Sequence, residues 1–181
     1  MSPRQQLLLG QPERSPITEL GALFSPCRTW RYRLWRAWGP GERLRVVGLN
    51  PSTADEERDD HTMRRVEHYA RRWGYDGYEM LNLFAARTPY PAEMMARQRA
   101  GLDVVGPGND AALREQAELA LVVLCAWGRL GAPYMRERGE VVLEILRASG
   151  AALFTLGHNA DGSPRHPARL ANEIDPYPWN P

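Results

Sequence analysis

The stretch RLRVVGLN, residues 43–50, predicts the central strand of the fold. Its end is almost entirely apolar, which is typical of a strand covered on both faces of a parallel sheet. The strand then runs into Asn50-Pro51, a step that often opens a tight turn, and the hydroxyls of Ser52 and Thr53 follow. This ending is either a turn that starts the next helix or one wall of an active site, and its spacing alone favours the turn.

Strand and helix patterns alternate outward from this segment. Upstream, TWRYRLWRAWG (29–39) has the period of two expected of a strand. Downstream, the predicted elements are a helix over 59–74, a strand over 77–87, a short helix near 91–99, a helix capped by GPGND (106–110) and ending at about Leu119, a strand over 119–128, a helix over 133–148 and a strand over 151–157. This order predicts an α/β fold, a three-layer α/β/α sandwich with a mainly parallel sheet of four to five strands.

Length and composition predict one globular domain. The chain has 181 residues, 43% of them apolar, which is enough for a single core. Residues 1–26 carry Pro and Gly at short intervals and predict a flexible lead-in, followed by a single α/β domain over 27–181. No apolar run approaches the length of a membrane span, and the Leu run 7–9 is too short for a secretory signal, so we expect a cytoplasmic protein that does not enter the membrane.

The cysteine and lysine content excludes several kinds of chemistry. Cys27 and Cys125 lie far apart and form no ligand spacing, so neither a zinc site nor an iron–sulfur cluster is expected. All 23 basic residues are Arg, which excludes a Schiff-base lysine and a P-loop lysine. No G-x-S-x-G elbow or G-x-G-x-x-G motif occurs, and we expect no cofactor. The net charge of +1 does not favour tight nonspecific binding to DNA, and nothing in the sequence specifies an oligomeric state.

The ends of the predicted strands carry the candidate site, because ligands of parallel sheets bind beyond the carboxyl ends of the strands. Amides, imidazoles and a Trp gather there, in Asn50-Pro51-Ser52-Thr53, Asn82-Leu83-Phe84, Ala126-Trp127-Gly128, and Gly157-His158-Asn159 with the loop to Arg165-His166-Pro167.

Each candidate also has a structural interpretation. Asn82 ends an apolar strand, where its amide suits a nucleobase edge or a loop backbone equally well. His166 follows the turn signal DG (161–162), where a histidine is usually structural or exposed. The acidic segment 55–60 is more typical of helix caps and solvated charge than of a metal site.

Several of these motifs resemble the bacterial and phage family called domain of unknown function 1643. The resemblance covers roughly residues 27–179, and the family name implies no activity. It is carried by LNPSTAD (49–55), DDHTMRR (59–65), WGYDGYEMLNLFAARTPYPAE (73–93), GPGNDAAL (106–113), CAWG (125–128) and SPRHP (163–167).

More remotely, the pattern is similar to the uracil-DNA glycosylase superfamily. GLNPS (48–52) matches the first motif of that superfamily except that Ser52 replaces its second Gly. Asn82 matches the residue that reads the pyrimidine edge, and RHP (165–167) matches the start of the late motif, with Ala168 where Ser is usual. The segment after Ser52 is acidic and has no Phe or Tyr to stack on a base.

This resemblance implies a monofunctional DNA-repair hydrolase that cleaves the N-glycosidic bond of a flipped-out nucleobase, uracil or a modified base, with water as nucleophile. Asn50 would position the water, Asn82 would read the base, and His166 would stabilise charge on the departing base or touch the backbone. The implied substrate contacts are Gly48, Leu49, Pro51, Ser52, Asn82, Phe84 and Trp127, and the implied nucleic-acid contacts are Arg64, Arg65, Arg87 and Arg165.

Two other functions fit the same residues. A relative that acts on a free nucleoside, a nucleotide or RNA needs the same pocket. A binding module without turnover would take its affinity from CRTWRYRLWR (27–36), where Arg alternates with aromatic residues as in proteins that bind single strands. This segment is equally typical of an edge strand with solvated Arg side chains.

Overall fold

A computed structural model describes residues 15–52 and 60–181 and shows an α/β fold built on a seven-stranded mixed sheet. The strands lie in the spatial order β1-β2-β4-β3-β5-β6-β7. The four central strands β4, β3, β5 and β6 are parallel, and the outer pairings are antiparallel. The bounds are β1 Glu19–Phe24, β2 Arg31–Ala37, β3 Arg43–Gly48, β4 Gly77–Asn82, β5 Val122–Cys125, β6 Ala152–Thr155 and β7 Tyr177–Pro178.

The sheet is larger and more mixed than the predicted four to five mainly parallel strands. Strand β1 lies inside residues 1–26, which we expected to be a flexible lead-in, and it pairs with β2 along its whole length. Strand β7 has only two residues and pairs with β6. No residue of β1 or β7 is fully buried, so their own side-chain patterns are weak and the neighbouring strand determines that they form.

The helices confirm the predicted order and cover both faces of the sheet. In the described residues they are α1 His61–Arg72, α2 Pro91–Arg99, α3 Asn109–Glu118 and α4 Pro133–Ala148, followed by a short 3₁₀ helix, Pro167–Arg169. Helices α2, α3 and α4 pack on the face that carries Val47 of β3. Helix α1 packs on the opposite face, which carries Val46. None of these helices is long and apolar enough to cross a membrane.

Helix α1 begins and ends where its sequence predicts. The Asp60 carboxylate accepts a hydrogen bond from the Met63 N–H, with 2.9 Å between N and Oδ1. Gly74 follows the last turn with a φ of +78°, a conformation that favours glycine. Since α1 follows β3, this cap places Asp60 at the carboxyl edge of the sheet.

Strand β2 is neither an exposed Arg and Trp surface nor an edge strand, and both expectations for it are wrong. It lies between β1 and β4, and the side chains of Arg31 and Arg36 are buried. The Arg33 guanidinium pairs with the buried Glu79 carboxylate. The Trp35 indole N–H donates to Glu19 Oε1 at 2.9 Å. The strand is therefore part of the interior of the sheet.

Candidate functional site

A cavity of about 560 Å³ opens at the carboxyl ends of the central strands. The end of β3 and the two residues after it contribute Gly48-Leu49-Asn50, β4 contributes Asn82, and the segment after β5 contributes Trp127-Gly128. Arg165-His166 reach the same cavity from the loop after β6. Asn50, Asn82 and His166 therefore line one cavity, as expected when parallel strands end at one edge of a sheet.

The amide of Asn50 has a defined orientation. Its Nδ2 donates to Thr88 O at 3.0 Å, to Thr88 Oγ1 at 3.1 Å and to Pro51 O at 3.1 Å. Thr88 is buried, and its own N–H donates to Pro51 O at 3.1 Å. Because the donors of the amide point at Thr88 and Pro51, Oδ1 is the atom that Asn50 offers to a ligand. The Asn-Pro step is thus a turn and a cavity wall at once.

Asn82 is held differently, through its backbone. Its side chain is 3% exposed, and no described residue accepts a hydrogen bond from its Nδ2. A buried amide donor without a protein partner is uncommon and points to a ligand or an ordered water. Gly48 lies against this amide, since a Cβ there would be 3.0 Å from Asn82 Oδ1.

The fully buried side chain of Asn109 supports the end of β4. Its Nδ2 donates to Asn82 O and to Leu83 O, both at 3.1 Å. Arg138 Nε from α4 donates to Leu83 O at 2.7 Å. The segment GPGND (106–110) predicted only the start of a helix, so this contact to a strand 27 residues earlier was missed.

Opposite charges lie in the cavity wall between β2 and α1. Asp60 lines the cavity, and its carboxylate accepts a hydrogen bond from Ser52 Oγ while it caps α1. Arg31 also lines the cavity and is 1% exposed. Desolvation lowers the pKa of Arg31 to about 10, against the attraction of Asp60, so the guanidinium is charged at neutral pH. The alternating pattern of β2 gave no signal that Arg31 would face a cavity.

His166 is oriented by the short helix that follows it. The Ala168 N–H donates to His166 Nδ1 at 3.3 Å, so a neutral imidazole carries its proton on Nε2. The Ala168 carbonyl lies 3.0 Å from His61 Nε2 on α1. This contact connects the 3₁₀ helix after His166 to α1.

The rim on the side of β5 and β6 is polar. Asn159 lines the cavity and its Nδ2 donates to Ser163 Oγ at 3.0 Å. Arg129 reaches Asp161 Oδ2 at 3.3 Å. The Ser163 hydroxyl, which donates to Asp161 at 2.6 Å, lowers the pKa of that carboxyl.

Other residues predicted for the site lie elsewhere. Pro51 is buried outside the cavity lining, and Phe84 packs in the core with its ring centroid 5.7 Å from that of Tyr134. Arg64 is exposed on α1 away from the cavity, whereas Arg65 donates to Leu170 O and Asn172 Oδ1. Arg87 lines a neighbouring concavity. Thr53 and residues 55–59 of the acidic segment lie outside the described residues.

Neither described cysteine lines the cavity, and both are free. Hydrogen bonds with Ser25 and Thr29 lower the pKa of the exposed Cys27 to about 7, and burial raises the pKa of Cys125. Within 15–52 and 60–181, no three His, Cys, Asp or Glu side chains gather as metal ligands.

The comparisons with known proteins place the chain in a family. No curated protein and no solved structure matches it. A family model described as "Protein of unknown function (DUF1643)" matches residues 31–168, from the start of β2 to the 3₁₀ helix, and so spans every strand end that lines the cavity. With more than half of its length matched, the chain belongs to the DUF1643 family.

Proposed function

We propose that this cavity hydrolyses the N-glycosidic bond of a nucleobase, with water as nucleophile. One observation carries the proposal: the buried Asn82 Nδ2 has no acceptor among the described residues, in a cavity that also contains the oriented amide of Asn50. A base carbonyl is the natural acceptor for such a donor. The volume of about 560 Å³ lies in the range of small-molecule sites.

In the proposed reaction, three side chains act on different parts of the substrate. Asn50 Oδ1 accepts a hydrogen bond from the attacking water, Asn82 Nδ2 donates to the base, and His166 Nε2–H donates to the departing base. The water oxygen bonds to the anomeric carbon as the carbon–nitrogen bond breaks, and the bonding pair leaves with the base. The water gives up one proton and the base takes one, so the products are a free base and a sugar hydroxyl.

The similarity of GLNPS (48–52), Asn82 and RHP (165–167) to motifs of the uracil-DNA glycosylase superfamily supports this assignment. The absence of Lys agrees with hydrolysis by water instead of an imine with the sugar.

A binding module without turnover is the less favoured alternative. It took its affinity from the Arg and Trp side chains of β2, and of these Arg31 lines the cavity, whereas Arg33 and Trp35 are paired inside the sheet. Hydrolysis of a free nucleoside or nucleotide uses the same cavity and the same three side chains, and it remains the second candidate.

Base release tests the proposal directly. The substrates are single- and double-stranded DNA carrying uracil, hypoxanthine or a modified pyrimidine, together with the matching free nucleosides. We expect release of the base from at least one of these substrates. The rate of release should be about a hundredfold or more lower in Asn50→Ala. Asn180→Ala, an exposed amide outside the cavity, is the matched control. No release from any substrate would overturn the proposal.

A further inference from the structure

Two backbone hydrogen bonds connect the ends of β3 and β4 beyond the last paired residues of these strands. The Leu83 N–H donates to Gly48 O at 2.9 Å, and the Phe84 N–H donates to Leu49 O at 3.0 Å. Each bond joins a peptide group at the end of one strand to a peptide group at the end of the other. The asparagines of the cavity are direct neighbours of these bonded residues, so the two bonds fix the separation of the asparagine backbones.

Two helices hold the same peptide groups of β4 through their carbonyl oxygens. Arg138 Nε of α4 donates to Leu83 O at 2.7 Å, and Asn109 Nδ2 of α3 donates to Leu83 O and to Asn82 O. Each of these carbonyls belongs to a peptide group whose N–H bonds to the end of β3. Chains of two hydrogen bonds therefore run from the helices through β4 to β3, and successive bonds in such a chain polarise and strengthen one another.

Arg138 gives one of these chains a charged donor. Its side chain is buried, and its Nη2 is paired with the Asp110 carboxylate at the start of α3. A hydrogen bond from a charged donor is roughly twice as strong as one between neutral groups. The chain that begins at Arg138 ends at the peptide group that contains the backbone nitrogen of Asn50. The charged donor thus acts on the backbone of the asparagine that orients the water in the proposed reaction.

The supporting side chains lie outside the cavity lining that the described residues form. Arg138, Asn109 and Asp110 therefore influence a ligand through the two strand ends that they hold. Without Arg138, Leu83 O keeps its bond from Asn109, and the Asp110 carboxylate, which is 44% exposed, is hydrated. Loss of Arg138 consequently leaves no unpaired charge in the interior at this place, and it frees the two strand ends to shift relative to each other.

We infer that Arg138 is a positioning residue, which sets the separation and direction of the Asn50 and Asn82 amides from helix α4, outside the cavity. Asp110 orients Arg138 in turn. The inference rests on the proposed function and deepens it, because the reaction requires one amide on the water and the other on the base at the same time. Misplacement of such groups by an ångström lowers a rate by as much as about a hundredfold.

The side-chain amide signals of Asn50 and Asn82 in a proton–nitrogen NMR spectrum test the inference without any activity. We expect both signals to shift in Arg138→Met, which keeps the length of the side chain but removes its donors. The amide of Asn159, which lines the cavity from the loop after β6, should keep its signal. An unshifted signal of Asn50 or Asn82, or an equal shift at Asn159, would overturn the inference.

Arg147→Met is the matched control. Arg147 is an exposed arginine of the same helix, and it also donates to a backbone carbonyl, that of Pro181. All three amide signals should stay in place in this variant. Shifts of the same size as in Arg138→Met would contradict the inference, because any change in the charge of α4 would then be sufficient.

A double-mutant cycle in base release distinguishes positioning from a purely structural role. Arg138→Met should lower kcat/KM by about tenfold in the wild-type background and by about threefold or less in the Asn50→Ala background, because the positioned amide is then absent. A variant that merely reduces the folded fraction loses the same factor in both backgrounds, so equal factors would overturn the inference. Arg138→Lys retains a charged donor and should recover part of the loss.

Urea unfolding of each variant checks that it folds. If Arg138→Met does not fold, Asp110→Asn replaces it, since this change removes the carboxylate that orients the guanidinium and leaves every buried donor in place. Asp110→Asn should shift the same two amide signals, and wild-type signals would overturn the inference. Absence of base release from every substrate contradicts only the proposed hydrolysis, and the NMR test then decides the role of Arg138. Base release with unshifted amides in Arg138→Met contradicts only the positioning role.

Discussion

The carboxyl ends of β3 and β4 are neighbours in the sheet, and each brings an asparagine to the same cavity. At the end of β3, the side chain of Asn50 is bound to the protein through three hydrogen bonds from its Nδ2. At the end of β4, the backbone of Asn82 is bound by Asn109, and its Nδ2 has no acceptor among the described residues. The fold thus orients the amide of Asn50 through its side chain and holds Asn82 through its backbone.

This difference separates two roles. An amide whose donors are already used presents one acceptor in a fixed direction, as the positioning of a water requires. An amide with an unused donor lowers the stability of the free protein and recovers that free energy when a ligand accepts the bond. Under the proposed function, Asn50 orients the water and Asn82 recognises the base.

The largest expected effect is on the kinetics of base release, where the two asparagine variants should change different constants. Asn50→Ala should lower kcat by roughly 10²- to 10³-fold, the size seen when an oriented transition-state contact is removed, with KM nearly unchanged. Asn82→Ala should act mainly through KM, by about tenfold, because it removes a contact made in the ground state as well. Steady-state kinetics on one active substrate measures both. Equal effects of both variants on KM would contradict the assignment of different roles to Asn50 and Asn82.

Next in size is the loss of support for the end of β4. Asn109→Ala should lower the free energy of unfolding by about 2–3 kcal/mol, because Asn82 O and Leu83 O lose a buried donor. Urea unfolding measures this, with Asn180→Ala expected within about 0.5 kcal/mol of the wild type. An unchanged midpoint in Asn109→Ala would show that the end of β4 does not need this contact.

A smaller effect is expected on the free energy of unfolding of the two asparagine variants in the absence of ligand. Asn50→Ala should destabilise the fold by about 1–2 kcal/mol, because the buried Thr88 carbonyl loses its donor. Asn82→Ala should leave the free energy of unfolding unchanged or raise it by up to about 1 kcal/mol, since it removes a buried donor that makes no bond to a described residue. The same unfolding experiment ranks them. A larger loss in Asn82→Ala would mean that its amide has a structural role.

The smallest expected effect comes from crowding the amide of Asn82. Gly48→Ala places a Cβ about 3.0 Å from Asn82 Oδ1 and 3.4 Å from Met80 Cε, so the amide has to shift by a few tenths of an ångström. We expect substrate affinity to fall a few-fold and stability to change by about 1 kcal/mol or less. Gly131→Ala, where nothing lies within 4 Å of the new Cβ, is the matched control. Equal affinities in the two variants would argue against a close fit at Asn82.

Local chemistry in the sequence was sufficient to predict the helices. The residues that begin and end the helices act within one turn of the chain, so the sequence alone is enough to recognise them. They are the Asp60 cap, Pro91 and Pro133 at helix starts, and Gly74 after α1. The apolar runs of β3 and β5 likewise predicted the central strands, because an apolar run is a local feature of the sequence. Strands β1 and β7 could not be predicted because they depend on pairing with a strand elsewhere in the chain.

The sequence by itself therefore determined which residues end the central strands, and hence that Asn50, Asn82 and His166 share an edge of the sheet. Only the tertiary structure decided which of these amides is satisfied, because Thr88 lies 38 residues after Asn50 and Asn109 lies 27 residues after Asn82. It also decided that Arg31 is buried in the cavity wall and that Arg28 and Arg87 flank the Phe24 ring. Strand ends follow from local periodicity, whereas hydrogen-bond partners and burial depend on contacts that only the folded chain creates.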